Sequence, residues 1–247
     1  MTDPVYRTIL LFDIEQYGSR DDVEQAYLRR VLYDVVDATL VAASVDEATR
    51  LRADRGDSLM VLIDTQISVP ALVKTLLTET PALLHSKNRL LASTAQMRLR
   101  IALSSGYVAV DELDGWVGSD LNHAVRLLDS DPLRTALKER DADSVLCVSD
   151  GVYQGVVRHG PLGVRPDDFH RITVRTKEGP TVAWLHGRPG PADPSPGAAT
   201  GPAPAADAPA PLGAGTHIAG DQYGQTGGTL YGGQRFDFTR PARQERG

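Results

Sequence analysis

Apolar residues follow two patterns in the first 186 residues: short continuous runs, and longer stripes at helical spacing. The runs end on polar or turn-forming residues, as in strands that are buried on both faces. They predict strands at residues 9–13, 58–63, 97–106 and 143–149. Alternating segments around the turn Lys177-Glu178-Gly179-Pro180 predict a hairpin over residues 170–186.

The helical stripes lie between these strands. The first covers residues 19–43, where Ser19 followed by Asp22 is similar to a capping box. Further stripes predict helices over residues 69–94 and 119–130. Helices and strands alternate, but the hairpins require antiparallel pairing. The pattern therefore predicts an α+β fold, a mixed and antiparallel-rich sheet covered by helices, and not a doubly wound parallel sheet.

The composition changes after the domain at residues 1–186. Pro, Ala and Gly dominate residues 187–212, which predicts a semi-extended linker. Residues 213–247 are rich in glycine and are expected to form a flexible tail. Two imperfect echoes in that tail, "HIAGDQYGQ" and "TLYGGQRFDF", leave open short strands or a segment that binds an unidentified protein partner.

Charge and composition exclude several classes of protein. A formal net charge of -6 without a basic tract argues against a nucleic-acid partner. The N-terminal residues lack a signal sequence, and no stretch approaches the roughly 20 apolar residues of a membrane span. We therefore expect a cytoplasmic protein without a membrane partner. Cys147 is the single cysteine, so it forms no internal disulfide and is expected to be a buried small apolar residue.

Two aspartates are candidates for a metal site. Asp13 ends the first apolar run, and Asp57 follows Gly56 at the tip of a predicted hairpin. If that hairpin pairs beside the first strand, both carboxylates lie at one end of the sheet. There they could bind two divalent ions about 3.5–4 Å apart, an arrangement suited to phosphoryl displacement. The competing interpretation is that Asp13 caps a turn and that Gly-Asp is an ordinary turn sequence.

A second group of candidates lies late in the chain. Asn122 and Arg126 are four residues apart on a predicted helix, so they share one face. A neutral donor beside a guanidinium suits a phosphate in its transition state, although a solvent-facing pair would have the same spacing. Lys177, in the last hairpin turn, is either a triphosphate contact or a solvated lysine.

The order of these motifs resembles the catalytic domain of class III nucleotidyl cyclases, which include adenylate and guanylate cyclases. The resemblance covers roughly residues 5–186 and rests on "FDIEQYG", "RGDSLMVLI", "RIALSSGYV", "VGSDLNHAVRLL" and "VRTKEGPTVAWL". Its most specific part is G-x-x-[VL]-N-x-A-x-R-L, matched from Gly118 to Leu127. It implies a cyclase-like fold with a ferredoxin-like core. It also implies a lyase that converts a nucleoside triphosphate into a 3′,5′-cyclic nucleotide second messenger and pyrophosphate.

The resemblance assigns the aspartates to a metal site. Asp13 and Asp57, with the backbone carbonyl of Ile14, would bind two Mg²⁺ or Mn²⁺ ions per site. In this family a glycine-containing turn after the first aspartate presents backbone amides to phosphate. Here that glycine is displaced, so the expected phosphate-binding residues in the turn are Tyr17 and Gly18.

The resemblance also implies a dimer. Asn122 and Arg126 would orient the ribose and stabilise the transition state, and Lys177 would hold the terminal phosphates. In the family one protomer supplies the aspartates and the other supplies these three residues. The expected assembly is therefore a head-to-tail homodimer with two shared active sites.

The base-selecting positions depart from the family pattern. In the family a Lys or Glu precedes the second metal aspartate by four residues. This chain has Ala53 there, with Arg52, Asp54 or Arg55 as substitutes if the hairpin register is shifted. The second position is Gly115 by direct count, or Asp114 if one residue is inserted.

Because neither purine-selecting pair is present, we favour a pyrimidine or relaxed specificity over ATP. The product would be cyclic UMP or cyclic CMP, as in the pyrimidine cyclases of bacterial antiphage systems, with cyclic AMP as the other option. Two alternatives remain from other classes. One is an inactive cyclase-homology module that binds nucleotide or a protein partner, and the other is a scaffold that acts only through its tail.

Overall fold

A computed structural model describes residues 3–112, 115–177 and 179–187. The predicted tail, nearly all of the predicted linker, and Asp114 lie outside the described residues.

One mixed sheet forms the centre of the fold. In the described part of the chain it contains eight strands: β1 (Val5–Ile14), β2 (Arg50–Asp54), β3 (Ser58–Ile63), β4 (Leu99–Val110), β5 (Trp116–Val117), β6 (Ser144–Ser149), β7 (Phe169–Thr176) and β8 (Gly179–His186). The strand order is β2-β3-β1-β4-β6-β8-β7, and β5 pairs with β4 alone. Among the pairs formed by the described strands, β4–β6 is parallel and the others are antiparallel. The predicted antiparallel-rich α+β fold is confirmed.

Helices cover both faces of the sheet. They are α1 (Asp22–Ala42), α2 (Val69–Asn88), α3 (Ser119–Leu128), α4 (Asp131–Glu139) and α5 (Asp150–Gly155). Leu10 and Phe12 of β1 join the core with α1 and α2, whereas Ile9 and Leu11 join the core with α3 and α4. Because both faces of β1 are buried from Ile9 to Phe12, this part of the strand is an uninterrupted apolar run. The same alternation places Asp13 on the α3/α4 face.

Several predicted boundaries were wrong. Asp21, not Ser19, caps α1, and it forms a capping box with Glu24. The second helix ends at Asn88 and not near residue 94, because the Asn88 side chain turns back and bonds the Met97 backbone at 2.8 and 2.9 Å. The short elements α4, α5 and β5 were not predicted.

Two further expectations concern the burial of Cys147 and membrane-spanning helices. Cys147 is fully buried and free, and burial raises the pKa of its thiol to about 12. Among the helices in the described ranges, none combines the length and apolar character needed to cross a bilayer.

Gly106 fixes the start of α3 against β4. Its backbone leaves no room for a Cβ, which would overlap the Asp120 side chain. The Asp120 carboxylate accepts a hydrogen bond from the Tyr107 backbone N–H at 2.7 Å. This contact anchors the first turn of the helix that carries Asn122 and Arg126.

Gly106→Ala is therefore expected to lower the free energy of unfolding by about 1–3 kcal/mol, the usual effect of overpacking. Urea unfolding measures it. The matched control is Gly155→Ala. Gly155 is helical, and a Cβ added there would meet no atom outside its own helix backbone within 4 Å. An equal loss in both variants would contradict this account of Gly106.

Candidate active site

The structure brings the two predicted metal aspartates to one end of the sheet. Asp13 lies across from Ser58 of β3 on one side and from Arg100 of β4 on the other. The Ile14 backbone N–H donates to the Asp57 carbonyl oxygen at 3.0 Å. Asp57 thus lies beside the end of β1, as the sequence predicted for a hairpin paired with the first strand.

A tight turn holds Asp57 in this position. Gly56 adopts a left-handed φ of 90°, which favours glycine. Its N–H donates to the Asp54 carboxylate at 2.7 Å, and the Arg55 N–H donates to the Ser58 carbonyl at 2.9 Å. These bonds place Gly56 and Asp57 at the tip between β2 and β3.

Arg100 is the closest partner of Asp13, and the sequence analysis missed it. Its Nε donates to Asp13 Oδ2 at 2.8 Å, and its Nη2 donates to the same oxygen. Both side chains are largely buried, at 14% exposed for Arg100 and 9% for Asp13. The pairing depends on the β1–β4 register, which joins residues 87 apart in sequence.

The environment of Asp13 and Asp57 disfavours the ionised form of both carboxyl groups. Burial raises the pKa of Asp13 to about 6, against the opposing effect of Arg100, and the charges of Asp57 and Asp129 raise it further. Burial also raises the pKa of Asp57, and Asp129 adds to this effect. Asp129, just after the end of α3, is a third nearby carboxylate that the sequence analysis missed. Its carboxylate is paired with Arg134 at 3.3 Å.

Glu15 belongs to a separate ion pair. Arg98 Nη1 donates to Glu15 Oε2 at 2.9 Å, and the Glu15 side chain is 20% exposed. The same Arg98 bonds the Arg140 backbone carbonyl at 2.7 Å. Glu15 is therefore fixed by structural contacts beside the aspartates.

The donor set at this end of the sheet fits Mg²⁺ or Mn²⁺. Both Arg100 N–H groups bond one oxygen of Asp13, so the other oxygen, Oδ1, is outside that contact. Among the residues described, no group of three or more His, Cys, Asp or Glu forms a metal cluster. Mg²⁺ is commonly held by one or two carboxylates together with substrate phosphates, and it does not require an all-protein cage. Asp13, Asp57 and nearby backbone carbonyls such as that of Ile14 suit this mode.

Tyr17 and Gly18 lie just after the end of β1, in the turn that follows Asp13. Gln16, not a glycine, adopts the left-handed conformation there, with φ 57°. Tyr17 is half-buried and packs against the core on the α1/α2 face, whereas Gly18 is exposed.

Asn122 and Arg126 lie on α3, which packs on the same face of the sheet as Asp13. Leu121, Ala124 and Leu127 are buried on that helix, while Asn122 and Arg126 are half-buried. The helix starts beside Tyr107, seven residues along β4 from Arg100. Asn122 therefore lies toward the opposite end of the sheet from the aspartates.

Lys177 is still farther from the aspartates. It is exposed in the turn between β7 and β8, so the predicted hairpin is confirmed. The pairing of β6, β8 and β7 places Phe169 near the Asp13 end and Thr176 at the other end. At the usual strand rise, Lys177 is displaced by roughly 25 Å along the sheet.

The candidate base-selecting residues occupy two places. Ala53 pairs with Met60 and is half-buried on the α3/α4 face, so the hairpin is in direct register. Arg55 follows in the turn, and burial lowers the pKa of its guanidinium. Gly115 is buried, donates to the Asp111 carboxylate at 2.7 Å, and accepts from the Asp111 N–H at 2.8 Å.

The raised pKa of Asp13 predicts a pH-dependent stability. The carboxyl titrates near 3.8 when unfolded and near 6 when folded, so the folded protein binds more protons between these values. Stability therefore falls as pH rises from about 4 to about 7, by up to about 3 kcal/mol from this group. Urea unfolding in a metal chelator measures the difference between wild type and Asp13→Asn. A difference that does not change with pH would contradict the assignment.

Comparison with solved structures identifies the fold. The guanylyl cyclase Cya2 superposes with a TM-score of 0.52 at 17% identity, covering 79% of this chain and 97% of that one. The adenylate/guanylate cyclase/hydrolase from Silicibacter pomeroyi gives a TM-score of 0.53 at 17% identity, over 75% and 98%. A bacterial light-regulated adenylyl cyclase gives 0.50 at 15%, over 74% and 90%.

The chain thus has the fold of adenylate and guanylate cyclase domains, and the predicted resemblance is confirmed at the level of the fold. No protein-family model and no curated protein sequence matches the chain.

Proposed function

We propose that the protein is a metal-dependent nucleotidyl cyclase, which converts a nucleoside triphosphate into a 3′,5′-cyclic nucleotide second messenger and pyrophosphate. The observation that carries the proposal is the juxtaposition of Asp13 and Asp57 at the end of β1, within a cyclase fold. In the reaction the ribose 3′-oxygen forms a bond to the α-phosphorus, the bond to the β-phosphate oxygen breaks, and the hydroxyl proton passes to solvent.

In this proposal the side chains of the protein bind the metal ions and orient the nucleotide. Asp13 and Asp57 hold Mg²⁺ or Mn²⁺, while Tyr17 and Gly18 border the phosphates. Two bound ions would supply Lewis acidity that favours ionisation of the hydroxyl, and their positive charge would offset the negative charge of the phosphates. Asn122 orients the ribose, and the guanidinium of Arg126 stabilises charge that develops at phosphorus. Lys177 binds the terminal phosphates.

The site is proposed to be shared between two protomers. Within one chain, Lys177 and Asn122 lie toward the opposite end of the sheet from Asp13, which supports a site completed by a second protomer. A head-to-tail homodimer would place the aspartates of one protomer against α3 and Lys177 of its partner. Its two-fold symmetry would then create two equivalent sites.

We further propose a pyrimidine or relaxed base specificity. Ala53 is in direct register and carries no polar group that could bind a purine edge. Strong discrimination requires buried polar groups that one base satisfies and another leaves unpaired. The experiment incubates purified full-length protein separately with ATP, GTP, CTP and UTP and Mn²⁺ or Mg²⁺, and identifies products by mass spectrometry.

The expected result is cyclic UMP or cyclic CMP, or several cyclic nucleotides. Formation of a single cyclic purine nucleotide would overturn the base assignment and leave the cyclase proposal intact. No cyclic product from any of the four substrates at high protein concentration would count against catalysis.

The contact between Arg100 and Asp13 favours a second candidate. A buried arginine on a metal-binding carboxylate is compatible with a module that binds nucleotide without converting it. This candidate predicts metal-dependent nucleotide binding, measured by calorimetry, while the nucleotide remains chemically unchanged. The cyclase proposal predicts turnover under the same conditions.

A further inference from the structure

Asp54 joins the turn that carries Asp57 to helix α1. It is the last residue of β2 and lies three residues before Asp57. Its Oδ1 accepts a hydrogen bond from the Gly56 N–H at 2.7 Å. Its Oδ2 accepts hydrogen bonds from two α1 side chains, the Tyr33 hydroxyl and Arg29 Nη2. The two oxygens of one carboxylate therefore hold two different elements of the fold.

The environment of Asp54 favours its charged form. Its side chain is 22% exposed. Burial acts to raise the pKa of this carboxyl, but hydrogen bonds from Tyr33, Gly56 and Arg29 outweigh burial and lower the pKa. Hydrogen bonds to an ionised acceptor are about twice as strong as those between neutral groups, so the contacts of Asp54 hold the turn firmly.

The position of Asp57 depends on this turn. Gly56, the residue before it, has a left-handed φ of 90° and is bonded to Asp54. On the side of the sheet, the Ile14 N–H bonds the Asp57 carbonyl at 3.0 Å. Ligands of a metal ion must be held to within about 0.5 Å by groups that do not themselves contact the ion. Asp54 has the contacts expected of such a group.

Asp37 offers a comparison between the same two elements. Arg52 Nη1 lies 3.1 and 3.2 Å from the two Asp37 oxygens, and Arg50 Nη2 lies 3.1 Å from one of them. These contacts also join α1 to β2, but Arg52 and Arg50 lie two and four residues before Asp54. Asp37 therefore links the helix to the strand at a distance from the turn.

We propose that Asp54 is a positioning residue of the metal site: one oxygen holds the Gly56 turn, and the other anchors that turn to α1, so that Asp57 is fixed for metal binding. The inference rests on the proposed function in that it takes Asp57 as a metal ligand. Asp54 itself does not contact the ion or the reacting atoms. Its role also differs from base selection, because its carboxylate contacts α1 while Ala53 lies on the α3/α4 face.

The test uses Mn²⁺ alone, without nucleotide, and follows the electron paramagnetic resonance signal of free Mn²⁺ during titration of the full-length protein. At about pH 8, Asp13 is ionised, since its pKa is about 6. Asp54→Ala removes both contacts and is expected to weaken Mn²⁺ binding about tenfold, in folded protein. Asp57→Asn is expected to abolish saturable binding, which assigns the ion to this site.

Asp54→Asn separates position from charge. It removes the same negative charge as Asp54→Ala but keeps an oxygen that can accept the Gly56 N–H, as asparagine commonly does in turns, so we expect weakening of only about threefold. Equal weakening of Mn²⁺ binding in the two variants would overturn the inference in favour of a simple charge effect.

Asp37→Ala is the matched control for the loss of an ion pair between α1 and β2. Because Asp37 is 42% exposed and its partners lie away from the turn, we expect Mn²⁺ affinity to change less than about twofold. Weakening as large as that of Asp54→Ala would overturn the inference.

Tyr33→Phe combined with Arg29→Gln covers the outcome in which Asp54→Ala does not fold. The double variant removes the α1 donors and leaves Asp54 in place. Loss of the Arg29 charge alone would favour a bound cation, whereas loss of the anchor is expected to weaken Mn²⁺ binding about threefold. Unchanged or tighter binding in this variant would overturn the inference.

Failure of the inference is distinguishable from failure of the proposed function. If folded Asp54→Ala binds Mn²⁺ as wild type does and wild type forms cyclic nucleotide, only the inference fails. Wild type that forms product without saturable binding of Mn²⁺ alone would also overturn it, since Asp54 would then have no preformed site to position. If the expected weakening is found but no protein forms product, the cyclase proposal fails and the inference stands.

Discussion

Replacing Asp13 with asparagine is expected to reduce cyclic nucleotide formation at least about a hundredfold, because a neutral amide cannot hold the divalent ions on which the proposed chemistry depends. The side chains have nearly the same shape, so the variant changes charge at a buried position with little change in packing. Product is measured by mass spectrometry at saturating nucleotide and Mn²⁺.

The neighbouring carboxylate provides the control. Glu15 lies two residues away and is paired with Arg98, outside the proposed metal site. Glu15→Gln is therefore expected to retain activity within about threefold, since loss of a partly exposed ion pair has a small effect. Equal loss of activity in the two variants would show that charge at the strand end, and not metal binding by Asp13, controls the reaction.

Mixing two inactive variants is expected to restore activity if the site is shared. Asp13→Asn removes the metal half of the site, and Asn122→Ala removes the ribose-binding half. In a head-to-tail dimer of the two, one site receives both defects and the other is intact. With random pairing, co-expressed protein should show about a quarter of wild-type activity.

Each variant expressed alone is expected to have almost no activity. The comparison for the mixture is a co-expressed pair of Asp13→Asn and Asp57→Asn, whose defects lie in the same half. That pair is expected to stay inactive, because each of its two sites contains one altered aspartate. No recovery in the first mixture, from protein that forms dimers, would contradict a site built from two protomers.

The sequence predicted the elements whose pattern follows from burial. The run at Ile9–Asp13 had to be a strand covered on both faces, since no solvent-facing position interrupts it. The turn at Gly56 followed from local chemistry, and pairing of its hairpin with β1 then placed Asp57 beside Asp13. Those steps use only local periodicity and one pairing.

Contacts that depend on distant register could not be predicted in this way. No local sequence feature distinguishes Arg100 from Arg98. The β1–β4 register nevertheless pairs Arg100 with Asp13, whereas Arg98 pairs with Glu15. The approach of Asp129 to the aspartates depends on how α3 crosses the sheet. Lys177 lies at the end of the sheet opposite Asp13 because of the order of β6, β8 and β7. The hydrophobic pattern of the sequence does not specify that order.

The most direct test of the central claim is to quantify cyclic nucleotide and pyrophosphate from the same reaction, for wild type and for Asp57→Asn. The cyclase account predicts equal molar amounts of the two products from wild type and neither from the variant. Linear nucleoside monophosphate or diphosphate in place of the cyclic product would indicate hydrolysis. Bound but unchanged nucleotide would contradict catalysis and favour the binding module.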